Sequence, residues 1–254
     1  MLSRLMTMLV LFAIVTGGIP KAYAEVVRVA VASNFLLPMK VLAKEYEKQT
    51  GIRLRISSGS TGKLFAQIIN GAPFDVFFAA NSSEPQRLEK MGVGEPGSRS
   101  TYALGRLALW SQRAELPGKD PLKTLQNADF KHLVIANPLT APYGAAAVST
   151  LKQLNLDKTL KPKLLTAENI SQTYQYIATG NVDLGFVAWS QLLARGQEKG
   201  AWLVPEEYHP AIEQQLVLLK RSVNNQSARD FIAYMKSMPA RKLIRSFGYG
   251  LGTS

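Results

Sequence analysis

The sequence predicts an α/β protein of two lobes joined by two extended crossovers. Three observations carry this. Short β-branched runs alternate with helical periodicity, once between residues 26 and 91 and again between 132 and 200. Two longer extended stretches, Tyr102–Trp110 and Gln215–Leu219, interrupt that alternation. The turns that leave the strands are rich in Ser, Thr, Asn and Gly, residues that cap helices and let the backbone come close to a ligand.

Residues 1–24 read as an export signal and not as part of the fold. Arg4 precedes an apolar run from Leu5 to Val15, then Gly17, Gly18 and Pro20, then the A-x-A pattern Ala22-Tyr23-Ala24. The mature chain is expected to begin at Glu25. The run falls short of the roughly 20 residues that span a bilayer, and no later segment is long and apolar enough, so the product is expected to be exported and soluble. The 254 residues include no cysteine, which leaves no disulfide and no lipid on an N-terminal cysteine. The formal charge of +12 fits nucleic acid, an anionic surface or a small anion. Nucleic acid sits poorly with export. The basic residues are also scattered, densest at Arg53/Arg55, Lys158/Lys161/Lys163 and Arg241/Lys242/Arg245, as on a solvated surface.

Val26–Ala32 is almost continuously apolar, as a strand buried in a parallel sheet should be. Ser33 and Asn34 follow, and a helix carries Leu37, Val41, Leu42 and Tyr46 on one face; Pro38 fits only its first turn and fixes the start near Asn34. A second strand, Arg53–Ser57, completes a βαβ unit whose strand-to-helix loop should open at the carboxyl edge of the sheet, where ligands bind. A helix from residue 62 to 69, a strand Val76–Ala80 and a short helix Pro85–Met91 continue the alternation. Asp75 is expected to tie down loop N–H groups. After the stretch Tyr102–Trp110 comes a Pro- and Gly-rich loop over 116–121. Then follow strand His132–Ala136, helices Gly144–Leu154 and Ser171–Thr179, strand Leu184–Ala188 and a helix from about Ser190. Two C-terminal helices, Ser227–Met238 and Ala240–Phe247, are expected to be split by Pro239. Lobe one is therefore expected to comprise residues 25–104 and 214–254, and lobe two residues 105–213.

The stretch Ile56–Ile68 is the candidate ligand cradle. It passes from a strand through Ser57-Ser58-Gly59-Ser60-Thr61-Gly62 into an amphipathic helix, so free N–H groups and the positive end of the helix dipole coincide with hydroxyl donors. Taken alone it reads first as a glycine turn with a Ser/Thr N-cap, which needs no ligand. A nucleotide P-loop would require Gly at Ser57 and Ser or Thr at Leu64, and both fail.

Catalytic patterns are missing. His132 and His209 are the two histidines, and neither has a Cys or a second His at metal-ligand spacing, so neither is read as a metal ligand. No G-x-S-x-G elbow occurs, and no pair of carboxylates invites an acid/base assignment. What the loops offer is uncharged donors: Ser33 and Asn34, Ser60 and Thr61, Tyr143 in A-P-Y-G, and Ile170 through its backbone N–H in A-E-N-I-S. Four helix starts facing one cleft would suit a fully deprotonated tetrahedral dianion. Glu168 is the nearby residue that would contradict this.

A-S-N-F after the first strand, S-G-S-T-G-K-L-F-A-Q-I, G-A-P-F-D-V-F, A-P-Y-G, A-E-N-I and D-L-G-F-V occur in order along nearly the whole mature chain. As an ordered set they resemble the periplasmic molybdate-binding proteins of ABC transporters. The resemblance implies the type II periplasmic-binding-protein fold, two mixed sheets flanked by helices. It also implies a periplasmic, monomeric solute-binding protein that captures molybdate or tungstate and passes it to a membrane permease with its ATPase. No cofactor, no catalytic residue and no nucleic acid enter this picture. By position it assigns Ser33, Asn34, Ser60, Thr61, Tyr143 and, through the main chain, Ile170 to the oxyanion, with no side chain bound directly to the metal. Some members carry a ligand-binding tyrosine where this chain has Ala188, and many carry Asp where it has Asn81. Another oxyanion such as sulfate, an exported enzyme on an anionic substrate, and a sensor module of the same fold remain as alternatives.

Overall fold

The structure, a computed structural model, describes residues 26–113, 115 and 117–252. The export signal read over residues 1–24 lies outside them.

The first sheet is built from β1 (Val26–Ala32), β2 (Arg53–Gly59), β3 (Val76–Phe78), β4 (Ser100–Gly105) and β10 (Ile212–Leu218) in the order β2-β1-β3-β10-β4. β1 runs parallel to β2 and β3, whereas β10 is antiparallel to both β3 and β4. The second sheet repeats this plan with β5 (Leu107–Trp110), β6 (Leu133–Ala136), β7 (Leu164–Ala167), β8 (Leu184–Ala188) and β9 (Trp202–Leu203) in the order β7-β6-β8-β5-β9. β6 is parallel to β7 and β8, and β5 is antiparallel to β8 and β9. In each sheet the antiparallel inner strand is the one by which the chain arrives from the other sheet. Three parallel strands per lobe therefore end at one edge, and their helices start there.

The helices are α1 (Leu36–Thr50), α2 (Thr61–Ile69), α3 (Ser83–Lys90), α4 (Pro121–Asn127), α5 (Pro142–Gln153), α6 (Ile170–Ala178), α7 (Trp189–Leu193), α8 (Gln226–Met235) and α9 (Met238–Ser246). A 3-10 turn over Ser33–Phe35 precedes α1, and Pro38 falls in its first turn as its missing N–H requires. The central strands of each sheet are packed on both faces. Val27, Val29 and Val31 pack against Met39, Leu42 and Phe231, while Ala30 on the opposite face meets Leu64, Phe65 and Phe77. In the second lobe Leu133 and Ile135 face the α5 side with Ala147 and Leu151, and Val134 faces Tyr174 and Ile177. The buried carboxylate of Asp75 accepts from the Arg28 backbone N–H at 2.6 Å and from Ser222 Oγ at 2.6 Å, so it ties strand β1 to the turn after β10.

Three local expectations are corrected. Tyr102–Trp110 is not one extended stretch but two strands in different sheets, broken at Arg106. Pro121, placed at the end of a loop, opens α4, because Asp120 Oδ1 caps the Lys123 N–H at 2.9 Å and proline is well tolerated at a first helical position. Pro239 does not split two helices; it sits inside the first turn of α9, whose N-cap is Ser237.

Candidate functional site

The carboxyl edges of the two parallel triplets face each other and close a small cavity. Its wall is Ala32, Ser33, Asn34, Gly59, Ser60, Thr61 and Ala80 from the first lobe, with Ala141, Pro142, Tyr143 and Ile170 from the second. All six residues singled out from the sequence line it. No lysine, arginine, aspartate or glutamate does. The space is about 10 Å³ for the centre of a water-sized sphere, room for about one water molecule. A larger concavity of about 720 Å³ lies on the first lobe among Arg99, Thr101, Gln215, Lys236 and Arg241, and unlike the site cavity it is lined by charged side chains.

The wall is rich in donors that the protein leaves unused. Ser60 is the N-cap of α2, yet its side chain makes no capping bond, and Oγ is buried without a partner. A glycine turn with a serine cap would have used that hydroxyl on the helix. Thr61 Oγ1 accepts from the Ala80 N–H at 3.0 Å, which leaves its own proton free to point elsewhere. At α6, Asn169 Oδ1 accepts from Ser171 N and Gln172 N, and the Asn169 carbonyl accepts from Thr173 N. The first N–H of the helix, that of Ile170, remains for the cavity. At α5 proline occupies the first position and has no N–H, and the N–H groups of Gly144 and Ala145 go back to the Ala141 carbonyl. That leaves the N–H of Tyr143. Its hydroxyl lies elsewhere, accepting from Gln214 Nε2 at 3.2 Å. Tyr143 therefore offers the cavity its backbone, and the sequence pattern alone does not distinguish backbone from hydroxyl.

The lobes are held closed by polar contacts around this cavity. Gly62 N–H donates to the Thr140 carbonyl at 2.8 Å, and Ser171 Oγ donates to the Ser33 carbonyl at 3.1 Å. Lys63 Nζ meets Glu168 Oε1 at 2.9 Å with both side chains about half exposed, a pair worth at most about 1 kcal/mol. Glu168 is thereby accounted for: it pairs with Lys63 at the rim and does not line the cavity. Tyr249, near the C-terminus, bridges the lobes more deeply. Its hydroxyl accepts from Asn34 Nδ2 at 3.0 Å and Ser190 Oγ at 2.9 Å, and donates to the Asn34 carbonyl at 2.9 Å. Burial, above all, pushes the phenols of Tyr102, Tyr143 and Tyr249 up from their ordinary value, so each stays a neutral hydrogen-bonding group.

Sequence reasoning missed Gln214, Tyr102, Tyr249, Ser190 and Gln191. Gln191 Nε2 donates to the Ile170 carbonyl at 3.2 Å and Oε1 accepts from the Ala188 N–H at 3.2 Å, pinning the start of α6 to the end of β8. One legible signal existed: the polar run Glu213-Gln214-Gln215 inside a strand, with Gln214 fully buried. Among the described residues no group of His, Cys, Asp and Glu could hold a metal ion, and no helix is long and apolar enough to cross a membrane.

Two lobes of repeated topology, linked by two crossovers and closed over a cavity of unpaired donors, make a binding protein of the cleft-closing class. The comparisons with known proteins narrow this. The sequence model for bacterial extracellular solute-binding proteins matches residues 27–250, and the chain belongs to that family. The molybdate-binding protein ModA of Azotobacter vinelandii is 46% identical over 91% of this chain and 92% of its own length. ModA of Rhodobacter capsulatus is 40% identical over 93% of each. The solved A. vinelandii periplasmic molybdate-binding protein superposes with a TM-score of 0.86 and 38% identity, covering 89% of this chain and 100% of that one. These relatives are binding proteins and not enzymes.

Two expectations follow from the site. A Cβ on Gly62 would lie 3.0 Å from Thr140 Cα across the cleft. Gly62→Ala should hold the lobes apart and weaken ligand binding roughly tenfold, the scale of a modest overpacking penalty, while leaving thermal stability unchanged or higher because alanine favours α2. Calorimetry beside a melting curve checks this; unchanged affinity would contradict it. The buried tyrosines set an alkaline limit. Their folded pKa values lie above the unfolded value of 10.0, so the unfolded chain loses protons first and stability falls as pH rises past about 10. The slope should approach about 1.4 kcal/mol per pH unit for each tyrosine, and denaturant titrations in which Tyr102→Phe fails to flatten it would contradict this.

Proposed function

We propose that the protein captures a tetrahedral oxyanion dianion, molybdate or tungstate, between its lobes and delivers it to the permease and ATPase of an ABC importer. The observation that carries this reading is a small cavity between the lobes walled by buried, uncharged polar groups, the unpartnered Ser60 hydroxyl among them. Ser33, Ser60 and Thr61 would act through hydroxyls, Asn34 through its amide, and Tyr143 and Ile170 through backbone N–H groups. Three helix starts, at α2, α5 and α6, and the turn at Ser33 aim their N–H groups and dipoles at one point. A dianion with no proton of its own can use every donor. The names of the relatives at 46% and 40% identity support molybdate in particular. An A-x-A signal and periplasmic relatives support a periplasmic location, and the surface lysines and arginines would act by steering the anion.

Size should decide selectivity. In a closed ring of donors a smaller anion leaves some unmet, and each unmet bond to a charged group forfeits about 1.5–3 kcal/mol. Isothermal calorimetry over a panel of anions is therefore expected to show molybdate and tungstate binding at least tenfold tighter than sulfate or phosphate, as the loss of one such bond requires. Sulfate bound as tightly as molybdate would refute the assignment and leave a general dianion carrier.

A further inference from the structure

Gln214 is a fully buried amide on β10, the strand of the second crossover, and it does not line the cavity. Its Oε1 accepts from Asn34 Nδ2 at 2.8 Å and from the Tyr102 hydroxyl at 2.9 Å; its Nε2 donates to the Tyr143 hydroxyl at 3.2 Å. It thus touches a cavity residue of each lobe. Two features of the backbone are arranged for it. β10 pairs with β4 as Gln214↔Ala103 and next as Gln215↔Thr101, so Tyr102 is an extra residue and its side chain is re-aimed toward Gln214. At the first crossover, a Cβ on Gly105 would lie 2.3 Å from the Tyr143 hydroxyl and 2.6 Å from Gln214 Nε2, so glycine alone lets the chain pass.

Asn34 gives both amide protons to residues outside the cavity wall, Gln214 and Tyr249, and its Oδ1 is buried without a partner. The amide atom left unpaired on this cavity-lining residue is therefore an acceptor, which would repel an anion. Turning the amide over would present a donor instead, but the turned oxygen would then face the Gln214 oxygen. The two amides have to reverse together.

We propose that Gln214 is a positioning residue that sets which end of the Asn34 amide faces the cavity, and that the two side chains turn over as a pair when the oxyanion enters. This rests on the reading of the cavity as an oxyanion site. After the turn Gln214 Nε2 donates to Asn34 Oδ1 and to the Tyr102 oxygen, while Tyr102 donates to the Ala79 carbonyl, already 3.1 Å away. The Tyr143 hydroxyl then donates to Gln214 Oε1, and Ser190 still donates to Tyr249. No proton is gained or lost, and Asn34 Nδ2 meets the anion.

The test is a double-mutant cycle read by calorimetry with molybdate, on the wild type, Asn34→Ala, Gln214→Met and the double variant, with a melting curve for each. Gln214→Met keeps the bulk and removes the amide. It is expected to weaken binding roughly tenfold, the size of one hydrogen bond to a charged group, although Gln214 touches no ligand. The double variant should bind as Asn34→Ala does, because Gln214 acts through Asn34. A merely structural glutamine would lower the melting temperature of Gln214→Met and leave its affinity intact, or give additive losses; either result overturns the proposal. Should a variant not fold, nitrogen-15 NMR of the wild type decides. The side-chain amide signals of both Asn34 and Gln214 should move on saturation with molybdate, and a stationary Gln214 signal overturns it. A wild type that binds molybdate normally while the cycle is additive removes Gln214 alone; a wild type that binds no oxyanion removes the oxyanion reading and this proposal with it.

Discussion

Buried donors with no partner inside the protein are the constraint on which the rest of the structure depends. The Ser60 hydroxyl and the first N–H groups of α5 and α6 lie at one cavity, and among the described residues none satisfies them. Leaving such a group unpaired costs about 1–3 kcal/mol each. A fold keeps that arrangement only when something else holds the groups there. Here it is two sheets, their central strands packed on both faces, whose parallel strands end at a common edge. The apolar cores fix where the helices start, and the starts fix where the donors point.

Closure combines polar and apolar contacts. The Gly62–Thr140 and Ser171–Ser33 bonds, the Lys63–Glu168 pair and the Tyr249 hydroxyl all cross between the lobes, beside Ala32 and Ala80 of the first lobe, which join the apolar core of the second. Such contacts are individually weak when water competes for them, so the closed form gains little unless something in the cleft draws the donors together. That is the balance a binding protein needs: rigid lobes and a cheap interface. The proposed ligand would supply the missing term, and the network behind the cavity would carry its arrival to both crossovers.

Much of this was legible in the residues. Val26–Ala32, Val76–Phe78 and Leu184–Ala188 are apolar enough to declare themselves as buried strands, and Ser60-Thr61-Gly62 and Pro142-Tyr143-Gly144 mark helix starts by composition. All six candidate residues meet at one cavity because strand-to-helix loops in parallel sheets must share an edge. Long-range partners were not legible. Gln214 and Asn34 are 180 positions apart, and no local pattern pairs them. Tyr102 reaches the network through an irregularity in strand pairing, and Tyr249 from near the chain's end. The role of Tyr143 also needed the hydrogen-bond accounting at Pro142, since a tyrosine in a donor-rich loop invites attention to its hydroxyl.

The central claim is that uncharged buried donors, and not surface charge, hold the ligand. Stopped-flow binding of molybdate to the wild type, Ser60→Ala and Lys63→Ala tests it most directly, at low and at high salt. Ser60→Ala should speed dissociation roughly ten- to hundredfold, as the loss of one donor to a charged group implies, with association little changed. Lys63→Ala and added salt should slow association and speed dissociation by no more than about fivefold, the worth of the exposed Lys63–Glu168 pair, because screening reaches about 8–10 Å through solvent but not into a buried site. Rapid dissociation from Lys63→Ala beside wild-type rates for Ser60→Ala would mean that a salt bridge holds the anion, and would contradict the claim.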